Sequence, residues 1–264
     1  MNANNEPRRA RVLANGTAAP LAVTTSWDDG DVLDERLAEL LDRHGINGTF
    51  YLPRDYRTQP LSPAAIRSLG ARHEMAAHSL SHPDLRKLSR AEKRREIGGS
   101  KEWLENVLGQ PVTSFCYPSG YFDKETTEVV GECGYHVGRT VAQGVIAASS
   151  APLQMATTLH VYPMPFRKTG PHSYNWLRLL TPLRRRMPAF RKLGVPFPAF
   201  RSWEALAVAT FEIARERGET FHLWGHSWEI DKFDMWRPLA RVLEHIGRRP
   251  DCSYVTNAEL VPRG

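Results

Sequence analysis

The chain has 264 residues, 41% of them apolar, and a formal net charge of +6. That size and apolar content allow one sizeable domain with a full core, and without any run near 20 apolar residues a membrane-spanning helix is excluded. Three cysteines make an odd count without disulfide spacing, which favours a reducing compartment and excludes a disulfide framework.

The two ends of the chain carry little structural signal. Residues 1–20 lack the continuous apolar segment of a signal peptide, so we expect an N-terminal extension and a cytoplasmic location. Residues 260–264 have the sequence Leu-Val-Pro-Arg-Gly, which is also a common engineered protease site, so we assign this tail no function. A single domain is expected between them, over residues 21–259.

Strand and helix signals alternate along the chain. The strand candidates are apolar or β-branched runs near residues 21–27, 48–53, 74–78, 113–118, 135–141, 159–164, 221–226 and 253–256. Helix candidates lie between most of them, near residues 33–44, 89–108, 202–217 and 236–247. The second of these opens on a capping box, Ser89 with Glu92, and stops at Gly109. This βαβα order predicts parallel strands with helices outside.

Two adjacent carboxylates, Asp28 and Asp29, end the first predicted strand, and Asp31 follows closely. Three carboxylates within four residues repel one another unless a cation or water separates them. One interpretation is a cluster that caps the helix expected over residues 33–44. The other is a functional site, because catalytic residues collect at the C-terminal tips of strands in β/α barrels.

A pair of histidines, His78 and His82, follows the third predicted strand. Their spacing of four predicts two imidazoles on one side of a helical turn, which is a metal-ligand spacing. Alone, the pair is weak evidence for a metal site, because a chain with ten histidines contains such spacings by chance. The alternative is that both are ordinary loop histidines. Combined with the Asp pair, it favours three ligands for a divalent cation and one carboxylate left to move a proton.

A further histidine, His226, ends the strand expected over residues 221–226. Beside a metal it could act as a general acid, because its ordinary pKa lies near neutrality. The alternative is a buried histidine bonded to a backbone carbonyl, which is our interpretation of His222. We interpret Cys116 likewise as a buried strand thiol rather than a nucleophile.

These motifs resemble those of the polysaccharide deacetylases, the NodB-homology group of carbohydrate esterases. Residues 26–30, Ser-Trp-Asp-Asp-Gly, are similar to the family's Thr-Phe-Asp-Asp-Gly, and residues 78–82 match its His-Ser/Thr-x-x-His in full. Residues 115–120 and 223–226 are similar to its third and last motifs. Order and spacing agree across roughly residues 20–260, so the resemblance implies a distorted (β/α) barrel of about seven strands.

The resemblance also implies a role for each residue of the site. Asp28 would be the general base, and His226 would protonate the departing amine. Asp29, His78 and His82 would hold the metal. Zinc is the expected ion, with cobalt, nickel or manganese as alternatives because a mixed Asp/His set tolerates several metals.

Three residues are expected to contact the substrate. The backbone N–H of Ser119, where the family usually has Tyr, would help to bind the oxyanion. Tyr117 and Trp228 complete the set of expected substrate contacts.

Two positions depart from the family pattern. The third motif usually carries an Arg that orients the catalytic Asp, and here Cys116 occupies that position. The fourth motif usually supplies an Asp, but residues 133–203 contain no acid. Glu229 or Asp231 would then orient His226. With both groups missing, a catalytically weak carbohydrate-binding relative is one alternative to an enzyme.

The stretch from about 165 to 201 is predicted to be a basic, proline-rich insertion. It holds nine Lys and Arg residues, among them Arg184, Arg185 and Arg186, and six prolines that are expected to prevent long regular structure. Residues 133–203 contribute +10, so the rest of the chain must sum to −4. The insertion could be a solvated edge of the barrel, a grip on a phosphorylated substrate, or a docking face for an anionic membrane.

We therefore predict a metal-dependent hydrolase that removes an N-acyl group, most simply N-acetyl, from an amino sugar. The substrate would be a small molecule that is free, phosphorylated, nucleotide-linked or lipid-linked, reached in the cytoplasm or at the inner face of the membrane. An amidohydrolase that acts on a non-sugar amide is the alternative within hydrolases. No recognition motif accompanies the basic stretch, so a nucleic-acid partner is not expected.

Overall fold

The computed structural model of the protein describes residues 20–166 and 181–261. Each of the eight predicted strand positions holds a strand. The strands are β1 (Leu21–Asp28), β2 (Gly48–Leu52), β3 (Glu74–Ala77), β4 (Ser114–Cys116), β5 (Val137–Arg139), β6 (Leu159–His160), β7 (Thr220–Gly225) and β8 (Cys252–Tyr254). The described helices are α1 (Asp34–Arg43), α2 (Pro63–Gly70), α3 (Arg90–Leu108), α4 (Lys124–Glu132), α5 (Thr181–Lys192), α6 (Trp203–Arg217), α7 (Ser227–Lys232) and α8 (Trp236–Ile246).

The strands form one parallel sheet in the order β5-β4-β3-β2-β1-β7-β6. β8 is added beside β1, where it pairs with residues 21–23 while β2 pairs with residues 25–28. The predicted distorted barrel is confirmed, since the seven strands curl into a half-barrel. Parallel strands start at one end of the barrel and finish at the other, so all their C-terminal tips meet on one face.

An irregular segment, residues 155–158, runs from the edge strand β5 to the start of β6, the strand at the other edge of the curled sheet. At one end the Met155 N–H donates to the carbonyl of Gly138 at 2.7 Å. At the other end the Thr158 N–H donates to the carbonyl of His222 at 2.9 Å. This segment therefore satisfies backbone groups next to β5 and β7 that the open sheet would leave unpaired.

The inside of the barrel is polar, whereas its outside packs against the helices. Along β1 the apolar side chains of Val23 and Trp27 join the main hydrophobic core. The alternate residues Thr24, Ser26 and Asp28 are equally buried but hydrogen-bond to other polar side chains. Successive side chains of a strand point to opposite faces of the sheet. This alternation therefore separates an apolar outer layer from a polar lumen that leads to the C-terminal face.

α3 begins and ends where the sequence predicts. The Ser89 hydroxyl accepts from the Glu92 N–H while the Glu92 carboxylate accepts from the Ser89 N–H, which is the predicted capping box. Gly109 ends the helix in the left-handed region with φ of 70°.

The expectation that prolines break the insertion is wrong for residues 181–192, which form α5. Pro182 lies in the first turn, where a backbone N–H has no partner within the helix, so it costs little there. Pro188 lies inside the helix, but Phe190 beside it is fully buried and anchors the segment to the core. Residues 167–180 of the insertion lie outside the described residues. None of the described helices is long and apolar enough to cross a membrane.

Candidate metal centre and active site

Asp28 and Asp29 lie at the C-terminal tip of β1 and both line one cavity. Neighbouring residues of a strand normally point to opposite faces. Here the backbone turns sharply, because Asp29 and Gly30 both lie in the left-handed region with φ of 83° and 63°. That conformation costs a non-glycine residue about 1–2 kcal/mol. The turn brings both carboxylates to the same site.

The helix-capping interpretation of these acids is wrong for Asp28 and Asp29. The N-cap position of α1 is Leu33, which makes no side-chain capping bond. Asp31 does accept the Leu33 N–H at 3.1 Å, but its other oxygen is held by Arg57 at 2.7 Å. Asp31 therefore shapes the turn after β1 and does not line the cavity.

Asp29, His78 and His82 present three donor atoms to one point. Asp29 Oδ1 lies 3.8 Å from His78 Nε2 and 3.8 Å from His82 Nε2. An ion about 2.0–2.2 Å from each ligand atom can bridge atoms up to about 4 Å apart, so the three fit a zinc-sized cation. The donor set of one carboxylate and two imidazoles also suits several other divalent transition metals.

His78 has the orientation and protonation that a metal ligand needs. Its Nδ1 donates to the carbonyl of Cys116 at 2.8 Å, which turns Nε2 toward Asp29. Burial lowers the pKa of His78 to about 4, so the imidazole is neutral at neutral pH. Burial also lowers the pKa of His82.

The predicted helical turn between the two histidines is wrong. Residues 78–82 form a loop in which Ser79 and His82 have left-handed φ values of 63° and 56°. Ser79 Oγ accepts the His82 N–H at 2.9 Å, and the Glu96 carboxylate of α3 accepts the N–H groups of Leu80 and Ser81. Tyr56 stacks on the His82 ring with the ring centres 4.2 Å apart. Loop bonds and stacking, not helical spacing, bring the imidazoles together.

Asp28 lies beside the metal ligands and is held by Arg139, a residue that sequence reasoning counted only as charge. The Arg139 guanidinium is fully buried and donates from Nη2 to Asp28 Oδ1. Burial raises the pKa of Asp28, but the charge and hydrogen bond of Arg139, together with the nearby His78 and His226, lower the pKa overall. Cys116 and Arg139 are register partners on β4 and β5, so the orienting arginine lies one strand away from its usual motif position. An arginine in the apolar run 135–141 is the signal that could have found it.

His226, at the tip of β7, faces Asp29 from the other side. Its Nε2 is 3.9 Å from Asp29 Oδ2, and its Nδ1 is 2.7 Å from Glu229 Oε2. Burial lowers the pKa of His226, but the hydrogen bond to Glu229 and the nearby carboxylates raise it overall. Of the two acids proposed from sequence, Glu229 contacts the histidine, whereas Asp231 accepts from the Trp236 indole at 2.9 Å.

The cavity between these groups has a volume of about 200 Å³. It is lined by Asp28, Asp29, Tyr56, His78, His82, Tyr117, Ser119, Gly120, Val141, Trp224, His226 and Trp228. Ser119 is in the left-handed region with φ of 54°, and it lines the cavity together with Gly120. The Tyr117 hydroxyl donates to the carbonyl of Leu153 at 2.8 Å, so this group is engaged away from a substrate.

The remaining residues singled out in the sequence lie elsewhere. In the described part of the chain Arg184 and Arg185 are exposed, and neither is among the residues that line the cavity. Arg186 is buried and donates to the carbonyl of Tyr162 at 3.3 Å, so it does not share the exposed surface of Arg184 and Arg185. His222 contacts the Ser26 hydroxyl at 2.8 Å inside the barrel. Burial raises the pKa of Cys116 well above its ordinary value, as expected for a structural thiol.

Comparison with known proteins shows what this chain is similar to. A family model described as polysaccharide deacetylase matches residues 15–138, which include Asp28, Asp29, His78 and His82. Over these residues the chain is similar to the polysaccharide deacetylase family. That similarity agrees with the family resemblance of the motifs at the tips of β1 and β3.

Individual relatives of this family cover parts of the chain. YxkH of Bacillus subtilis is 29% identical over 156 residues, 52% of this chain and 52% of its own. The chitooligosaccharide deacetylase of Sinorhizobium fredii is 33% identical over 89 residues, 33% of this chain and 40% of its own. The chain spans between about a third and a half of the curated relatives that it matches.

A solved structure shares the fold over almost the whole chain. It is that of a candidate polysaccharide deacetylase of Mycobacterium smegmatis, with a TM-score of 0.67 at 17% identity. The superposition covers 97% of this chain and 93% of that one. The shared fold therefore extends beyond the N-terminal half that the family model matches.

Proposed function

We propose that this protein is a divalent-metal-dependent hydrolase that removes an N-acyl group, most simply N-acetyl, from an amino sugar. The observation that carries the proposal is the convergence of Asp29, His78 and His82, whose ligand atoms all lie within 4.8 Å of one another, with Asp28 left outside this set of three. A divalent ion held there, zinc by its ligand set, would lower the pKa of a water molecule and polarise the acyl carbonyl.

Asp28 is suited to the role of general base. A base must be ionised at the working pH and within reach of the proton that it removes. Arg139 keeps the Asp28 carboxylate ionised in a buried setting, and Cys116 Sγ lies 3.8 Å from its second oxygen. Asp28 would thus take the proton of the attacking water, and Asp29 would hold the metal together with His78 and His82.

His226 is suited to the role of general acid. The leaving amine of an amide departs only if it is protonated, so the acid must carry a proton when the base does not. Glu229 raises the pKa of His226, while Arg139 lowers the pKa of Asp28. The two environments therefore separate the acid from the base at one pH.

The backbone N–H of Ser119 supplies the oxyanion donor in this scheme. A preorganised donor of this kind contributes on the order of 10²–10³ in rate. Ser119 and Gly120 both have left-handed backbones, which turn this segment into the wall of the cavity.

An acetylated sugar is the substrate class that the family and the cavity favour. Deacetylation of a carbohydrate is the activity in the name of the Sinorhizobium relative. A cavity of about 200 Å³ accommodates an acetamido group with part of one sugar ring rather than a long polymer. The alternative of a catalytically weak binder depended on a missing arginine and a missing acid. Arg139 contacts Asp28 and Glu229 contacts His226 from other positions of the chain, and these contacts favour the enzyme.

The proposal is tested by combining metal analysis with acetate release. Purified protein, stripped of metal and reloaded with zinc, is offered N-acetylglucosamine, chitooligosaccharides, nucleotide- and lipid-linked N-acetyl sugars, and non-sugar acetamides, with products followed by mass spectrometry. We expect Asp28→Asn to lower turnover by about 10²–10⁴-fold while one zinc per chain is retained. Asp251→Asn, which changes an exposed acid that pairs with Arg215 and does not line the cavity, is the matched control and should leave turnover within a few fold.

Three results would count against this function. Equal turnover in wild type and Asp28→Asn removes Asp28 as the base. Binding of N-acetyl sugars without any release of acetate by the zinc-loaded wild type returns the protein to a binding role. Release of acetate only from the non-sugar acetamides moves the activity to another substrate class.

A further inference from the structure

The carboxylate of Asp29 has its two oxygens in different environments. Oδ1 faces the two histidines, each at 3.8 Å. Oδ2 accepts a hydrogen bond from the indole Nε1 of Trp228 at 2.9 Å. The Asp29 side chain is only 4% exposed, so little water competes for that second oxygen.

Trp228 reaches Asp29 because of its place at the start of α7. His226 is the N-cap of this short helix and Trp228 is its second residue, so both follow directly from the tip of β7. Two cations lie over the Trp228 ring, with Arg57 at 5.0 Å and Lys232 at 6.0 Å from its centre. Arg57 is held in turn by Asp31. These contacts fix the plane of the indole at the cavity wall.

We propose that Trp228 is the positioning residue of the metal ligand Asp29, and thereby sets the affinity of this site for its divalent ion. An ionised carboxylate accepts strongly from an N–H donor, so the indole bond keeps Oδ2 occupied. Only Oδ1 is then directed at the point where His78 and His82 converge. This inference rests on the proposed metal-dependent function, and it assigns Trp228 a role other than the substrate contact expected from sequence.

The backbone of Asp29 explains why such support is needed. A left-handed aspartate is conformationally costly, and its side chain has no strand neighbour to hold its direction. The N–H of Asp29 donates to the Tyr51 carbonyl at 3.0 Å, and among the described residues the Trp228 indole is the hydrogen-bond donor to the Asp29 side chain. Groups that orient a ligand in this way typically change metal affinity by about 10–100-fold when removed.

The test is a zinc titration of Trp228→Phe, which removes the N–H but keeps an aromatic ring at the wall. Metal-free proteins are first melted to establish that each is folded. Zinc affinity is then measured by competition with a chromophoric chelator, without any substrate. We expect Trp228→Phe to bind zinc about 10–100-fold more weakly than wild type. In cobalt-substituted protein the visible absorption should also change, since it reports the number and geometry of the ligands.

Trp236→Phe is the matched control. Its indole also donates to an aspartate at 2.9 Å, but that residue is Asp231, which does not line the cavity. The control should bind zinc as wild type does. Equal affinities of wild type and Trp228→Phe overturn the inference while the proposed function stands, and so does an equal loss in both variants. A wild type that binds no zinc overturns the proposed function and this inference together.

Discussion

At the scale of single residues, the proposed chemistry depends on Asp28 remaining ionised although its side chain is buried. The ion pair with Arg139 achieves this, and breaking a buried pair by removing one partner commonly costs about 3–5 kcal/mol. Cys116 occupies the place from which the family usually supplies this cation. Because Cys116 and Arg139 are register partners on adjacent strands, an arginine on β5 reaches the same carboxylate.

We expect Arg139→Leu to move the acid limb of the kcat/KM profile to higher pH. Without the cation, burial raises the pKa of Asp28, so the base becomes protonated, and activity is lost, at a higher pH than in wild type. Turnover at neutral pH should fall as well. The double variant Arg139→Leu with Cys116→Arg returns the cation from β4 and should recover part of both effects. An acid limb unmoved in a folded Arg139→Leu protein would contradict the role of Arg139.

Glu229→Gln should move the basic limb of the same profile in the opposite sense. Glu229 has a pKa of about 2 and raises the pKa of His226, despite the burial that lowers it. Without that charge the pKa of His226 falls. The general acid then loses its proton at a lower pH than in wild type, and the reaction rate falls at that lower pH. Glu204→Gln, which loosens an exposed ion pair with Arg241, is the control and should leave both limbs in place.

At the scale of elements, α3 supports the metal site from outside the barrel. Glu96 on this helix accepts the N–H groups of Leu80 and Ser81, which lie between the two histidines. The ends of α3 are set by the Ser89 capping box and by Gly109, so the position of Glu96 along the helix is well defined. Local capping thus contributes to the geometry of a loop on a neighbouring strand.

Two glycines, Gly98 inside α3 and Gly109 at its C-cap, are predicted to change stability in opposite directions when replaced by alanine. Gly109 has a left-handed φ of 70° and open space where a side chain would project, so Gly109→Ala should lower the free energy of unfolding by about 1 kcal/mol through backbone strain alone. Gly98 lies inside the helix, where an added Cβ would make an ordinary 3.5 Å contact with Cys133. Gly98→Ala should therefore raise that free energy by roughly 0.5–1 kcal/mol. Urea denaturation measures both, and shifts of the same sign would contradict this account.

At the scale of the whole molecule, the charge is unevenly distributed. Residues 133–203 contribute +10 to a net charge of +6, so the rest of the chain is acidic overall. Part of that positive charge is structural, since Arg139 and Arg186 are buried. Arg184 and Arg185 on α5 remain exposed, and their charge is available to attract an anionic group on a substrate at long range.

We expect the double variant Arg184→Gln with Arg185→Gln to discriminate between charged and neutral substrates. For a neutral N-acetyl sugar, KM and turnover should stay within about twofold, because neither arginine lines the cavity. For a phosphorylated or nucleotide-linked analogue, KM should rise, and more so at low ionic strength, where the Debye length exceeds about 10 Å. If the KM of the charged analogue and its salt dependence are unchanged, the exposed arginines have only a solvating role.

Much of the fold could be predicted from the sequence because its signals are local. Apolar runs marked all eight strands, and a capping box with a following glycine marked both ends of α3. These patterns involve residues that are close along the chain, so the interactions behind them can be inferred from the sequence alone. The adjacent pair Asp28–Asp29 and the spacing of His78 and His82 likewise indicated which residues to suspect.

The contacts that make those residues a site were decided only by the tertiary structure. Arg139 is 111 residues from Asp28 and meets it because β4 and β5 curl the sheet around a polar lumen. Trp228 is 199 residues from Asp29 and reaches it because β7 pairs directly with β1. The sequence by itself determined which elements form and which side chains can bind a metal. Which partners orient those side chains depends on long-range strand pairing, which leaves no periodic trace along the chain.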